Sequence, residues 1–218
     1  MIKLYSIEKE RSQRLIARNK NVTVDEQAFN RYVSEFPVIP DRKQIFAAYE
    51  FAKQIEYIHP GLSSADYLVH PVRVACLALQ IDPPVDVDTI VIALLHNVLE
   101  VSVLTFEDMR EKFNSRVAGS MKALTVDRSR QYNREYKASY YQKINELFLG
   151  GRIVKILDKL DNLFLLCFNS DDEIRRIYLQ EIEDYIIPMV DRDLKELSKY
   201  MRELVEDCRK IGYMTKKR

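Results

Sequence analysis

Near the middle of the chain an apolar run, Ile90-Val91-Ile92-Ala93-Leu94-Leu95, ends abruptly in His96 and Asn97, with Glu100 close behind. An imidazole, an amide and a carboxylate all cost free energy to bury without partners. Glu100 lies four residues after His96 and three after Asn97, so on a helix all three face one side. His70 stands directly before Pro71 and a largely apolar segment, and Asp158 sits in Ile153-Val154-Lys155-Ile156-Leu157-Asp158, where an unpaired acid would be expensive. A lone histidine beside an apolar run is more often a hydrogen-bonded core residue. Two of the chain's three histidines, taken with Asn97, Glu100 and Asp158, weigh against that reading. Helical bundles build metal sites from imidazoles and carboxylates that project inward from facing helices.

The elements that must position these groups read as helices. With 5 glycines and 7 prolines in 218 residues, the composition favours helices on short connections over a glycine-punctuated β fold. The fold class is therefore all-α, a single-domain multi-helix bundle. Lys and Arg number 34 against 33 Asp and Glu, so no large nucleic-acid footprint is expected. Cys76, Cys167 and Cys208 lie in apolar helical patterns and read as reduced core thiols, without the Cys/His spacing of a structural zinc. The N-terminus turns charged too early for a signal peptide and no run is long enough to span a membrane, so a cytoplasmic protein is expected. The oligomeric state is left open, and a homo-oligomer is compatible with the sequence.

Along the chain, residues 1–40 read as a helical appendage closed by Phe36-Pro37-Val38-Ile39-Pro40, residues 41–190 as the domain carrying the site, and residues 191–218 as a helix docked on it. Asp41 is expected to cap a core helix through Ile45, Ala48, Tyr49, Ala52 and Ile55. Because proline is tolerated in a first turn, His70 is expected at or just before a helix start. Asp86 or Asp88 should cap the opening stretch, and Thr105-Phe106-Glu107-Asp108 has the form of a capping box. A polar, tyrosine-rich helix is expected over 132–149, ended by Gly150-Gly151, with its Arg128-to-Lys143 charges on a solvated face and its tyrosines half-buried. The next helix carries an apolar stripe through Ile153, Leu157, Leu160, Phe164 and Cys167, while Lys155, Asp158 and Asn162 share another face. Ser170-Asp171-Asp172-Glu173 is expected to open a helix that Pro188 ends or kinks. Leu194, Leu197, Met201, Leu204 and Cys208 mark the docked last helix, and Lys216-Lys217-Arg218 a frayed tail.

Four linked segments resemble the HD-type hydrolase domain, and within it the (p)ppGpp hydrolase domain of the Rel/SpoT alarmone enzymes and their small stand-alone relatives. They are Tyr67-Leu68-Val69-His70-Pro71 with Ala75, Ala93-Leu94-Leu95-His96-Asn97 with Glu100, Thr105-Phe106-Glu107-Asp108 with Phe113, and Val154-Lys155-Ile156-Leu157-Asp158 with Asn162. The resemblance covers about residues 41–190. It implies an all-α domain that holds one divalent ion, usually manganese, and removes pyrophosphate from the ribose 3′ position of a guanosine-type nucleotide. Carried over position by position, His70, His96, Asn97 and Asp158 fall on the metal ligands and Glu100 on the first residue of an acidic pair. Lys155 and Asn162 fall on positions that meet the nucleotide.

Three departures accompany the matches. Asn97 stands where the family has Asp, Val101 stands where the second acid should be, and Gly61-Leu62-Ser63-Ser64-Ala65-Asp66 replaces an Arg-Lys-Ser-Gly loop. An amide offers a carbonyl oxygen to a hard cation but no charge, so manganese would be held more weakly. Losing a general acid or base costs about two to four orders of magnitude in rate. The preferred reading is a metal-dependent nucleotide (pyro)phosphohydrolase, since three of four ligand positions and Glu100 remain. The alternative is a degenerate module that binds a nucleotide or a protein partner without turnover.

Overall fold

The structure, a computed structural model, describes residues 4–17 and 22–214. The basic end Lys216-Lys217-Arg218, expected to fray, lies outside the described residues. Among the described residues there is no strand, and no helix is long and apolar enough to cross a membrane. The fold is all-α.

Three helices form its centre: α4 (Ser64–Leu79), α5 (Val87–Leu95) and α10 (Leu149–Phe164) pack on one another. Every residue of α5 from Asp88 to Leu95 is buried, which explains why its sequence is apolar on all sides. Asp86 caps it, accepting from Thr89 N–H at 2.9 Å. Around this centre, α1 (Leu4–Ala17) lies against α10, α2 (Val22–Glu35) against α4, and α3 (Ile39–Gln54) against α5. The N-terminal segment supplies Ile7, Phe29, Val33 and Phe36 to the core.

After α5 the chain turns at His96-Asn97 into the single turn α6 (Val98–Val101), then α7 (Phe106–Lys112), α8 (Ser115–Leu124) and α9 (Arg134–Asn145). The expected capping box is present: Thr105 accepts from Asp108 N–H while Asp108 accepts from Thr105 N–H at 2.8 Å. On the other face of α10 run α11 (Asp172–Glu181), a wide turn over Ile182–Ile186, α12 (Ile187–Asp193) and α13 (Ser198–Ile211). The wide turn accommodates Pro188, which has no N–H to give a regular ladder. The last helix docks through Met201, Leu204, Val205 and Cys208, and the three cysteines are free and buried.

Several boundaries differ from the sequence reading. Ser63, accepting from Asp66 N–H, caps α4, so His70 sits in mid-helix and Pro71 inside it. No side chain caps α3, which starts at Ile39 with Pro40 in its first turn rather than at Asp41. Asp171 caps α11 in place of Ser170. Gly150 and Gly151 open α10 instead of ending α9, because a Cβ at Gly150 would overlap Thr89 Oγ1 of α5 and the Phe148 ring. Close approach of two core helices outweighs glycine's weak helix propensity there.

Candidate metal centre and its cavity

His70 projects from mid-α4, His96 from the turn that ends α5, and Asp158 from the middle of α10. One ligand atom from each lies within 4.8 Å of the others. This is the convergence that the three sequence segments lead one to expect.

The proton inventory of the trio decides what it can hold. His96 Nδ1 donates to Ala93 carbonyl at 2.8 Å, so in the neutral ring Nε2 carries the lone pair. That Nε2 is buried without a hydrogen-bond partner, and it lies 3.8 Å from Asp158 Oδ1. His70 Nδ1 lies 2.7 Å from Asp161 Oδ2, and His70 Nε2 lies 3.2 Å from Asp158 Oδ1. Burial lowers the His70 pKa to about 4 against the pull of Asp158, so the ring is neutral near pH 7. Burial would raise the Asp158 carboxyl, but the Lys155 charge together with His70 and His96 outweighs it and holds the group well below the ordinary range. The Nε2 lone pair of His96 and the Nε2 of His70 thus converge on an ionised carboxylate. The donor set fits a divalent cation, which would turn mutual repulsion into coordination.

The residues around Asp158 are committed to it. Lys155 Nζ donates to Asp158 Oδ2 at 2.9 Å and Asn162 Nδ2 to Oδ1 at 2.8 Å. The Lys155 ammonium also sits 5.3 Å from the Tyr140 ring centre. Burial works against its charge, yet Asp158 and Tyr140 keep its pKa above the usual lysine range.

A cavity of about 490 Å³ opens beside the trio, in the size range of small-molecule sites. Asn97 and Glu100 line it, as do His70, Lys155, Asp158 and Asn162, while His96 is buried behind. The helix expected to run through His96 to Glu100 is broken at His96-Asn97, and a new turn starts with Glu100 N–H donating to Asn97 carbonyl at 3.0 Å. Glu100 Oε2 accepts from Val126 N–H at 3.1 Å and Oε1 from Arg128 Nε. The Glu100 side chain is 5% exposed and that of Arg128 57%, so the acid is fixed and the base reaches solvent.

Part of the expected solvated face of α9 lines the same cavity. Tyr136, Lys137 and Tyr140 contribute from α9 and Arg128 and Tyr132 from the segment before it, with Tyr140 buried and donating to Leu124 carbonyl at 2.7 Å. Also on the cavity wall, Glu181 accepts from Lys137 Nζ and from the Tyr141 hydroxyl, each at 2.6 Å, and pairs with Lys159 Nζ at 2.6 Å. Burial raises the Glu181 carboxyl, but Lys159 and Lys137 outweigh it and bring it down to about 2.

Sequence reasoning did not single out Asp161, Arg73 or Arg14. Asp161 is fully buried and accepts from Arg73 Nη2 at 2.8 Å, from Arg73 Nε at 3.0 Å and from Arg14 Nη1. The available signal was a second acid three residues after Asp158 and an arginine three residues after His70, each on an otherwise buried helix turn.

No family model matches the chain. It is 28% identical over 162 residues to the guanosine-3′,5′-bis(diphosphate) 3′-pyrophosphohydrolase of Aquifex aeolicus, an alignment covering 73% of this chain and 23% of that protein. It is 26% identical over 164 residues to the bifunctional (p)ppGpp synthase/hydrolase SpoT of Escherichia coli, covering 73% of this chain and 23% of that protein. The chain therefore spans about a quarter of the length of the curated relatives it matches. A solved structure described as a metazoan ortholog of SpoT that hydrolyzes ppGpp superposes with a TM-score of 0.60 at 22% identity, covering 82% of this chain and 99% of that one. The chain thus resembles the HD-type Rel/SpoT hydrolase domain in sequence and shares its fold.

Proposed function

We propose that the chain is a metal-dependent hydrolase of a phosphorylated nucleotide, a pyrophosphohydrolase of guanosine 3′,5′-bis(diphosphate) type, working in the cytoplasm with manganese. The carrying observation is the meeting of two imidazole nitrogens with the Asp158 carboxylate on the wall of a nucleotide-sized cavity. His70, His96 and Asp158 would hold the ion, with the Asn97 amide oxygen as a fourth, uncharged donor. A bound divalent ion supplies positive charge that polarises a phosphoryl oxygen and eases deprotonation of water.

The chain's own residues divide the remaining work. Lys155 and Asn162 fix the Asp158 carboxylate from either side and face the substrate's reacting group. Arg128 reaches solvent while Glu100 does not, so an entering phosphate draws the guanidinium away and leaves Glu100 free to take a proton from the attacking water. Lys137 and Lys159 bring two charges against the one of Glu181, which leaves that part of the cavity wall attractive to phosphate. Tyr132, exposed at the cavity, offers a ring face to a base.

The test is calorimetric titration of the metal-free full chain with manganese, followed by measurement of pyrophosphate release from guanosine 3′,5′-bis(diphosphate). Binding in the micromolar to millimolar range with release is expected; no binding there sinks the reading. A second reading, nucleotide binding without turnover, is favoured by one observation: Asn97 brings no charge and Val101 is a buried apolar residue in place of a second acid. Nucleotide binding with no release at any metal concentration would select it.

A further inference from the structure

We infer that Asp161 is a positioning residue for His70 and that Arg14 makes docking of the N-terminal helix part of the same site. Asp161 is fully buried, so its carboxylate has no water to satisfy it. The Arg73 fork grips it from α4 and Arg14 from α1, while its Oδ2 lies 2.7 Å from His70 Nδ1. A guanidinium keeps its proton, so a carboxylate between two of them is an acceptor only. A neutral ring has one proton for two carboxylates, and Asp161 at 2.7 Å from Nδ1 lies nearer than Asp158 at 3.2 Å from Nε2, so the proton sits on Nδ1 and Nε2 is presented to Asp158 with its lone pair outward. Turning the ring over would set a C–H against the carboxylate.

Packing alone does not call for this arrangement. Apolar residues of similar volume often replace a buried ion pair without loss of stability. What they cannot do is hold a proton on one nitrogen of His70. Arg14 joins the unit from 147 residues away in sequence, and it is itself braced by Glu10, 3.4 Å from its Nη2, and stacked 5.3 Å from the Phe164 ring centre. A cation bound by His70 and a docked α1 therefore each favour the other, and such a linkage is reciprocal.

The affinity arm rests on the proposed metal site, whereas the tautomer arm does not. The variants are the paired Arg73→Met/Asp161→Leu, which removes one charge of each sign and leaves Arg14 its Glu10 partner, and Arg14→Met, each checked for unchanged helical circular dichroism. In metal-free wild-type protein, long-range proton–nitrogen NMR of the His70 ring should show a single Nδ1–H tautomer. The paired variant should show Nε2–H or a mixture, and its manganese affinity should fall by about 10- to 100-fold, the usual effect of losing such support. Arg14→Met should weaken binding several-fold, and manganese should slow amide exchange in α1 of the wild type. A folded paired variant with the wild-type tautomer overturns the role of Asp161. Arg14→Met with unchanged affinity, or α1 exchange indifferent to manganese, overturns the role of α1. If wild-type protein binds no metal, the proposed function falls while the tautomer still decides for or against Asp161.

Discussion

The cavity wall holds two carboxylates among lysines, Glu181 and Asp158, yet their surroundings are built to different completeness. Glu181 faces only donors: two ammonium groups and a tyrosine hydroxyl, each about 2.6 Å away. Asp158 has Lys155 and Asn162 as donors but also confronts two imidazole nitrogens, one of them the unpartnered Nε2 of His96. The first cluster is finished by the protein alone. The second would be completed by a cation, and that contrast separates a structural ion pair from a candidate site more reliably than the presence of charge does.

The sharpest way to break the contrast is Asp158→Ala. Manganese binding should fall by more than the roughly 100-fold that marks loss of a supporting residue, and pyrophosphate release should disappear with it. Titration calorimetry on the folded variant is the check; retained binding would mean that the two carboxylates do not differ in kind. Next in size, Glu100→Gln should lower kcat by about 10²- to 10⁴-fold while metal affinity stays put, read from steady-state kinetics beside a metal titration. Adding charge works the other way: Asn97→Asp should raise manganese affinity by roughly tenfold or more, because ligand charge governs the hold on a hard cation.

The smallest effect belongs to the finished cluster. The Glu181 carboxyl is depressed from its ordinary 4.5 to about 2, so its contribution to stability is present above pH 4.5 and is lost as the pH falls towards 2. The shift corresponds to about 3 kcal/mol. Urea unfolding of Glu181→Gln against wild type should show the gap closing across that window, with metal affinity at pH 7 unchanged.

Much of the site was legible because its groups interrupt apolar patterns. His96 ends a run with no other polar residue for six positions, and Asp158 breaks the buried course of α10, so each carried its own warning of unmet solvation. The all-α class followed from composition and periodicity. What stayed hidden were pairings across the fold. Arg14, Arg73 and Asp161 come from three elements, and a single arginine in a helix reads as a surface charge until its partner is found. The tyrosine-rich helix misled for a related reason, since its charges suit water and a wet cavity equally well. The break at His96-Asn97 was hidden because the residues that follow remain good helix formers.

Gly150 shows how far the demands of such a site extend. From it to Asp158 is eight residues of one continuous helix, about 12 Å at the usual rise. An alanine there would lever α10 off α5 by its overlap with Thr89, and a stiff helix transmits that tilt to the carboxylate two turns on. Displacements near 1 Å can cost about 10²-fold in rate. A methyl group that touches neither substrate nor metal would thus act as an attenuator of the reaction, and variation at position 150 would tune output without altering a single reacting atom.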